Sequence, residues 1–129
     1  MTASTCLDVS LPATLASPRL ARDRVGELIG QATTSSRLRD DVRLCVSEAV
    51  SNVVRHAYRT DDGTVALVVA RVDGMLRVTV GDTGVGILGP PQDATRGFGF
   101  EIIRRLATRV SVVSAPGRGT EIVMSFALP

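Results

Sequence analysis

The stretch Leu44–Tyr58, LCVSEAVSNVVRHAY, constrains the fold more than any other part of the chain. It reads as the middle and end of one long amphipathic helix, from about Ser36 to Ala57. With Glu48 as origin and about 100° per residue, Asn52 falls at about 40° and Arg55 at about 340°. Val46, Ala49, Val50, Val53 and Ala57 fall on the other side, between about 100° and 200°. The apolar flank anchors the helix, and Glu48 and Asn52, spaced i and i+4, share the other face. An acid and an amide in one line can hold a hydrated divalent cation or polarise a hydroxyl. Two exposed polar residues on a solvated helix would look the same, so the rest of the chain must decide.

Before this helix, Thr5–Leu11 alternates weakly and reads as an edge strand ended by Pro12. Ser17-Pro18 reads as a helix start, because serine can cap and proline suits the first turn. Leu20, Val25, Leu28 and Ile29 continue that helix to about Thr33, and Thr33–Ser36 is a turn. After the long helix, Thr60-Asp61-Asp62-Gly63 is a turn. The β-branched runs Thr64–Val72 and Met75–Val80 flank Asp73-Gly74, the strongest hairpin signal in the chain. Gly81–Gly97 is a loop rich in glycine and proline, and Phe98–Leu106 restarts a helical pattern. Val110–Ser114 and Thr120–Leu128 form a second hairpin around Ala115–Gly119. Antiparallel strands with helices gathered on one face predict an α+β two-layer sandwich. No linker divides the chain, so residues 1–129 read as one domain.

Composition removes several functions. Aromatic residues make up 3% of the chain, too few for a base-stacking surface. A net charge of +2 is too small to argue for direct nucleic-acid binding. All 15 basic residues are arginine, which excludes the lysine-dependent phosphate loop and a Schiff-base lysine. Any phosphate must then be held by backbone N–H groups, a metal or arginine. Cys6, Cys45 and the single histidine cannot complete a zinc site, and both cysteines read as reduced thiols. No segment approaches eighteen apolar residues, and the expectation is a cytoplasmic protein without a membrane anchor.

Three glycine elements follow the helix. Gly81-Asp82-Thr83-Gly84-Val85-Gly86 ends a buried strand, where Gly84 and Gly86 let the backbone pass close to a ligand. Asp82 is an acceptor suited to a ring amino group such as adenine N6. Arg96-Gly97-Phe98-Gly99-Phe100 opens a helix, and glycines there present free N–H groups and the positive dipole end to phosphate. Gly117-Arg118-Gly119-Thr120 sits at the last hairpin. Each alone is compatible with an ordinary turn, and the last reads as one. Together and in this order they are far more specific.

The order resembles the GHKL (Bergerat-fold) ATP-binding domains of gyrase, the MutL proteins and histidine kinases. It looks most like the small bacterial anti-sigma-factor serine/threonine kinases. Glu48-Ala-Val-Ser-Asn52, with His56-Ala-Tyr58 after it, matches the family's N box. Asp82-Thr-Gly-Val-Gly86 matches the first glycine box, Gly97-Phe-Gly99 the second and Gly119-Thr120 the closing motif. The resemblance runs from about Ser17 to Leu128 and implies helices on one face of a mixed, mostly antiparallel sheet.

The resemblance further implies ATP and Mg²⁺, with Asn52 coordinating the metal and Glu48 as general base. Asp82 and Thr120 would serve the adenine pocket, and Gly84, Gly86, Gly97 and Gly99 would line the nucleotide. Residues 87–96 would form a short lid, where Arg96 is a candidate phosphate contact and a solvated loop arginine is the alternative. Implied partners are a sigma factor and an anti-sigma antagonist that is phosphorylated on serine, together with pairing of two copies through the first strand and helix region. Phe98 and Phe100 depart from the small aliphatics frequent in the second box. The rival expectation is a non-catalytic ATP-binding module that signals by nucleotide-dependent docking.

Overall fold

An edge strand, two β-hairpins and three helices make up the described residues of the computed structural model, which are 3–57, 63–82, 98–115 and 119–129. The strands are β1 (Ala3–Pro12), β2 (Thr64–Val72), β3 (Met75–Asp82), β4 (Arg109–Ala115) and β5 (Gly119–Ala127). The helices are α1 (Ser17–Ala32), α2 (Ser36–Ala57) and α3 (Phe98–Leu106). The strands form one sheet in the order β1-β2-β3-β5-β4, and all four pairings are antiparallel. The expected α+β sandwich is thus present, with no parallel pair among the described strands.

The turn between β2 and β3 is the two-residue hairpin that Asp73-Gly74 predicts. Asp73 has φ 50° and Gly74 φ 76°, and Val72 pairs with Met75. Positive φ at both central residues matches the turn's twist to that of the strands, and a Cβ-bearing residue at 74 would be strained. β1 is an edge strand as expected, largely exposed and interrupted by a register shift between Thr5 and Leu7. Beyond the shift, Leu7, Val9 and Leu11 pack on the core from the edge.

Every second residue of β2, β3 and β5 enters the core. Val65, Leu67, Val69, Leu76, Val78, Val80, Ile122, Met124 and Phe126 are all buried. The helices cover that face alone. Val42, Cys45, Val46, Ala49, Val50, Val53 and Val54 of α2 are buried against the sheet and against Ala21, Val25 and Ile29 of α1. On the other flank α2 meets α3, whose Ile103 is fully buried. With few aromatics available, β-branched side chains of restricted χ1 build this interior.

The starts of α1 and α2 differ in chemistry. Ser17 does not cap α1. The N-cap is Ala16, which makes no side-chain cap bond. The fully buried Ser17 hydroxyl instead donates to the Pro12 carbonyl oxygen and meets Thr14 Oγ1 at 3.2 Å. Ser17 therefore ties the end of β1 to the first turn of α1. A real cap occurs at α2, where Ser35 Oγ accepts the Leu38 N–H at 3.2 Å and Thr33 Oγ1 accepts the Ser35 N–H at 3.1 Å. Replacing Ser35 by alanine removes one satisfied helix-terminal donor. The expected cost is about 1 kcal/mol of unfolding free energy, measured by urea titration with unchanged m-value.

Candidate functional site

Because the buried residues of α2 recur along one flank, the opposite flank carries Ser47, Glu48, Ser51 and Asn52 at intermediate burial. Glu48 and Asn52 are successive residues on one helix line, as the periodicity requires. Asn52 Oδ1 accepts a hydrogen bond from the Arg55 guanidinium. Its Nδ2 is buried and has no hydrogen-bond partner among the described residues. A buried amide with one end unsatisfied carries a desolvation cost that a ligand or ordered water can relieve.

Arg55 is the residue that motif reading passes over. Its helical angle, close to that of Asn52, was the signal: a residue at i+3 on the same face can reach the amide and fix its orientation.

Asp82 and Thr120 are far apart in sequence but are direct partners in the β3–β5 register. Opposed residues in an antiparallel pair hold their Cβ atoms about 4.5–5.5 Å apart, so both serve one spot at the sheet's end. Thr120 is buried, Asp82 is half-buried, and both are engaged by neighbours. Gly81, just before Asp82, lies across from Glu121, and a Cβ there would come within 3.3 Å of Glu121 Cγ. The glycine keeps β3 and β5 close where Asp82 leaves the sheet. Val65, at the start of β2, pairs with Asp82 from the other side. The six residues 58–63 join the end of α2 to this same end of the sheet.

Gly99 falls in the first turn of α3, the position at which a glycine leaves helix N–H groups accessible. Gly84, Gly86, Arg96, Gly97 and the lid segment 87–96 lie outside the described residues. Phe100, the departure from the second glycine box, is buried, and the Arg104 guanidinium lies 5.2 Å from its ring centroid. Among the described residues no group of three or more His, Cys, Asp or Glu could hold a metal ion. Mg²⁺ bound chiefly by phosphate oxygens and water needs no such cluster, and an amide oxygen such as that of Asn52 is a suitable hard ligand.

Cys45 sits between two carboxylates of α2. Burial first, then the charges of Asp41 and Glu48, push its thiol from 9.0 up to about 12. The thiol is therefore held neutral behind the site and is no nucleophile at neutral pH. Cys6 is exposed.

A long helix laid over one face of a five-stranded antiparallel sheet is the architecture of a kinase-like ATPase domain. The chain belongs to the histidine kinase-like ATPase domain family, whose model matches residues 11–126. It is similar to the anti-sigma F factor of Clostridium acetobutylicum, 32% identical over 96 residues that cover 66% of this chain and 67% of that protein. The anti-sigma F factor of Pasteuria penetrans is 32% identical over 117 residues, covering 81% and 78%. The fold also matches the crystal structure of the RsbU and RsbW domains of Rv1364c from Mycobacterium tuberculosis. That match has a TM-score of 0.76 and 24% identity, and covers 99% of this chain and 32% of that longer one. No described helix is long and apolar enough to cross a membrane.

The Cys45 environment has a measurable consequence. Its folded pKa lies above its unfolded value, so the folded chain keeps a proton that the unfolded chain loses above about pH 9. The associated stability is complete below pH 9 and declines as pH rises toward 12, by at most about 1.4 kcal/mol per pH unit. Wild type should therefore lose stability over this range faster than Cys45→Ala, compared by denaturant titration at each pH. At pH 8 the native chain should show one rapidly titratable thiol, Cys6, and two after unfolding.

Proposed function

We propose that this chain is an ATP-dependent protein serine/threonine kinase that acts as an anti-sigma factor. It would bind a sigma factor and phosphorylate a serine of an antagonist protein, so that nucleotide state sets which partner is held. The observation that carries this reading is the polar face of α2. Glu48 and Asn52 lie one turn apart at half-buried positions, and Asn52 keeps a buried amide nitrogen with no partner among the described residues. Membership of the ATPase family and the names of the anti-sigma relatives support it.

In this reading Asp82 accepts the adenine amino group, and Thr120 supports it from the neighbouring strand. Gly84 and Gly86 let the backbone approach the nucleotide. Gly97 and Gly99, with the N–H groups opening α3, receive phosphate oxygens, and Arg96 adds a charged contact. Asn52 would offer Mg²⁺ the carbonyl oxygen that now accepts the Arg55 guanidinium, and Arg55 would give way to the metal. MgATP bound there supplies the transferable phosphoryl group and neutralises its oxygens. Glu48 takes the proton of the acceptor hydroxyl as that oxygen bonds to phosphorus and the bond to the ADP oxygen breaks. Two copies would pair through the exposed edge near β1, and the protein would act in the cytoplasm with the transcription machinery.

Calorimetric titration with ADP and ATP, with and without Mg²⁺, tests the nucleotide site. Binding should depend on Mg²⁺ in wild type and collapse in Asp82→Asn, whereas no binding at millimolar nucleotide would sink the assignment. Asn52→Ala should lose the Mg²⁺-dependent part of the affinity and keep the fold. Glu48→Gln should still bind MgATP but transfer phosphate to an antagonist on the order of 10²–10⁴ times more slowly. An unimpaired rate would place the proton acceptor elsewhere. Tight MgATP binding by wild type with no transfer to any antagonist would instead indicate docking gated by nucleotide alone.

A further inference from the structure

We propose that Arg77, Ser125 and Arg109, on the face of the sheet away from the helices, form a binding site for a phosphomonoester dianion. The argument begins with register. Arg77 on β3 is the direct partner of Ser125 on β5, and Ser125 is the direct partner of Arg109 on β4. The three residues therefore stand in one row across three strands. Their sequence neighbours Leu76, Val78, Met124 and Phe126 are buried under the helices, and Val110 packs against the same core. Alternation along each strand thus puts Arg77, Ser125 and Arg109 on the opposite, open face.

The two arginine Cα positions are about 10 Å apart across two strand spacings, a span that two long guanidinium side chains can close on one ligand. Both arginines are exposed, and among the described residues neither has an ion-pair partner. Together with Ser125, Thr108, Asp73 and Met75 they line one cavity of about 370 Å³.

The donor set selects the ligand. Thr108 Oγ1 already accepts the Ala127 N–H at 3.1 Å, and the Thr108 N–H donates to the Ser125 carbonyl at 2.8 Å. The hydroxyl hydrogens of Thr108 and Ser125 are left to donate beside the two guanidinium forks. Asp73 is the one carboxylate in the lining. One carboxylate against two guanidiniums leaves a net positive charge. An oxyanion with several lone pairs and two negative charges suits this set best, and arginine forks match phosphate oxygens in geometry. The cavity is far larger than one phosphate, so it has room for the group that bears it.

This site is independent of the proposed nucleotide site. Arg77 and Asp82 lie five residues apart on β3, about 17 Å, and their side chains leave opposite faces of the sheet.

The test is a ¹⁵N-NMR titration of the whole chain with inorganic phosphate and, separately, with O-phosphoserine. Ionic strength is held constant with chloride. Saturable shifts confined to residues around Arg77, Thr108, Arg109 and Ser125 are expected in wild type, and none in the Arg77→Ala/Arg109→Ala double variant. Equal saturation by both probes identifies free phosphate as sufficient. Tighter binding of O-phosphoserine identifies a phosphorylated side chain or small ester that uses the remaining volume. Shifts that grow linearly without saturation, or that persist in the double variant, would overturn the proposal. Melting gives a second readout: phosphate should raise the Tm of wild type and not of the double variant, which removes only exposed side chains and should fold. An equal rise in both would also overturn it.

Discussion

Burial of one flank of α2 is the constraint on which the rest of the structure depends. Seven of its residues, from Val42 to Val54, are buried between the sheet, α1 and α3. Each fully buried aliphatic side chain is worth about 1.5–3 kcal/mol relative to exposure. Rolling the helix by one residue would turn several of them to water and bring Glu48 or Ser51 into the core. The polar face therefore has one available orientation. Glu48 and Asn52 take their place on the helix face from the valines behind them, and Arg55 then orients the Asn52 amide. The neutral Cys45 thiol belongs to the same economy, since it sits behind Glu48 and adds no charge to the buried flank.

Local signals in the sequence were strong where one interaction decided the outcome. The span of α2 follows from its period and from the turn at Thr33–Ser36. The β2–β3 hairpin follows from Asp73-Gly74, because few residue pairs tolerate positive φ at both positions. The start of α3 at Phe98 follows from the glycines before it. Signals failed where a competing partner was distant along the chain or chemically equivalent. Ser17 has the residue type of a cap, yet the Pro12 carbonyl captures its hydroxyl, and that carbonyl's position depends on how β1 joins α1. The contact between Arg55 and Asn52 was readable as an angle on a helix but carries no motif. For Gly84, Gly86, Arg96 and Gly97, the reading rests on the motif alone.

The pairing of Asp82 with Thr120 was beyond local reading for a further reason. Asp82 and Thr120 belong to separate motifs, and nothing in either motif says that β5 rather than β4 lies beside β3. That choice comes from the whole sheet. The chain leaves β3 at Asp82, passes through α3 on the helical side and re-enters the sheet at β4, which leaves one strand's width for β5 between them. Had β4 docked directly on β3, the two strands would run parallel, and Asp82 would lose Thr120 as its partner.

The same insertion of β5 produces both juxtapositions on the sheet. At one end, on the helical face, it sets Thr120 against Asp82. At the other end, on the open face, it sets Ser125 between Arg77 and Arg109. The first row stands on the face of the sheet that the helices cover. The second has none of the described helices above it, and among the described residues its two guanidiniums have no ion-pair partner. Like charges within reach of each other across a sheet are mildly destabilising. Strand order alone would allow any polar residue at those two positions. Arginine at both, flanking a hydroxyl and sharing one cavity, is the arrangement a bound dianion would turn from a cost into a contact.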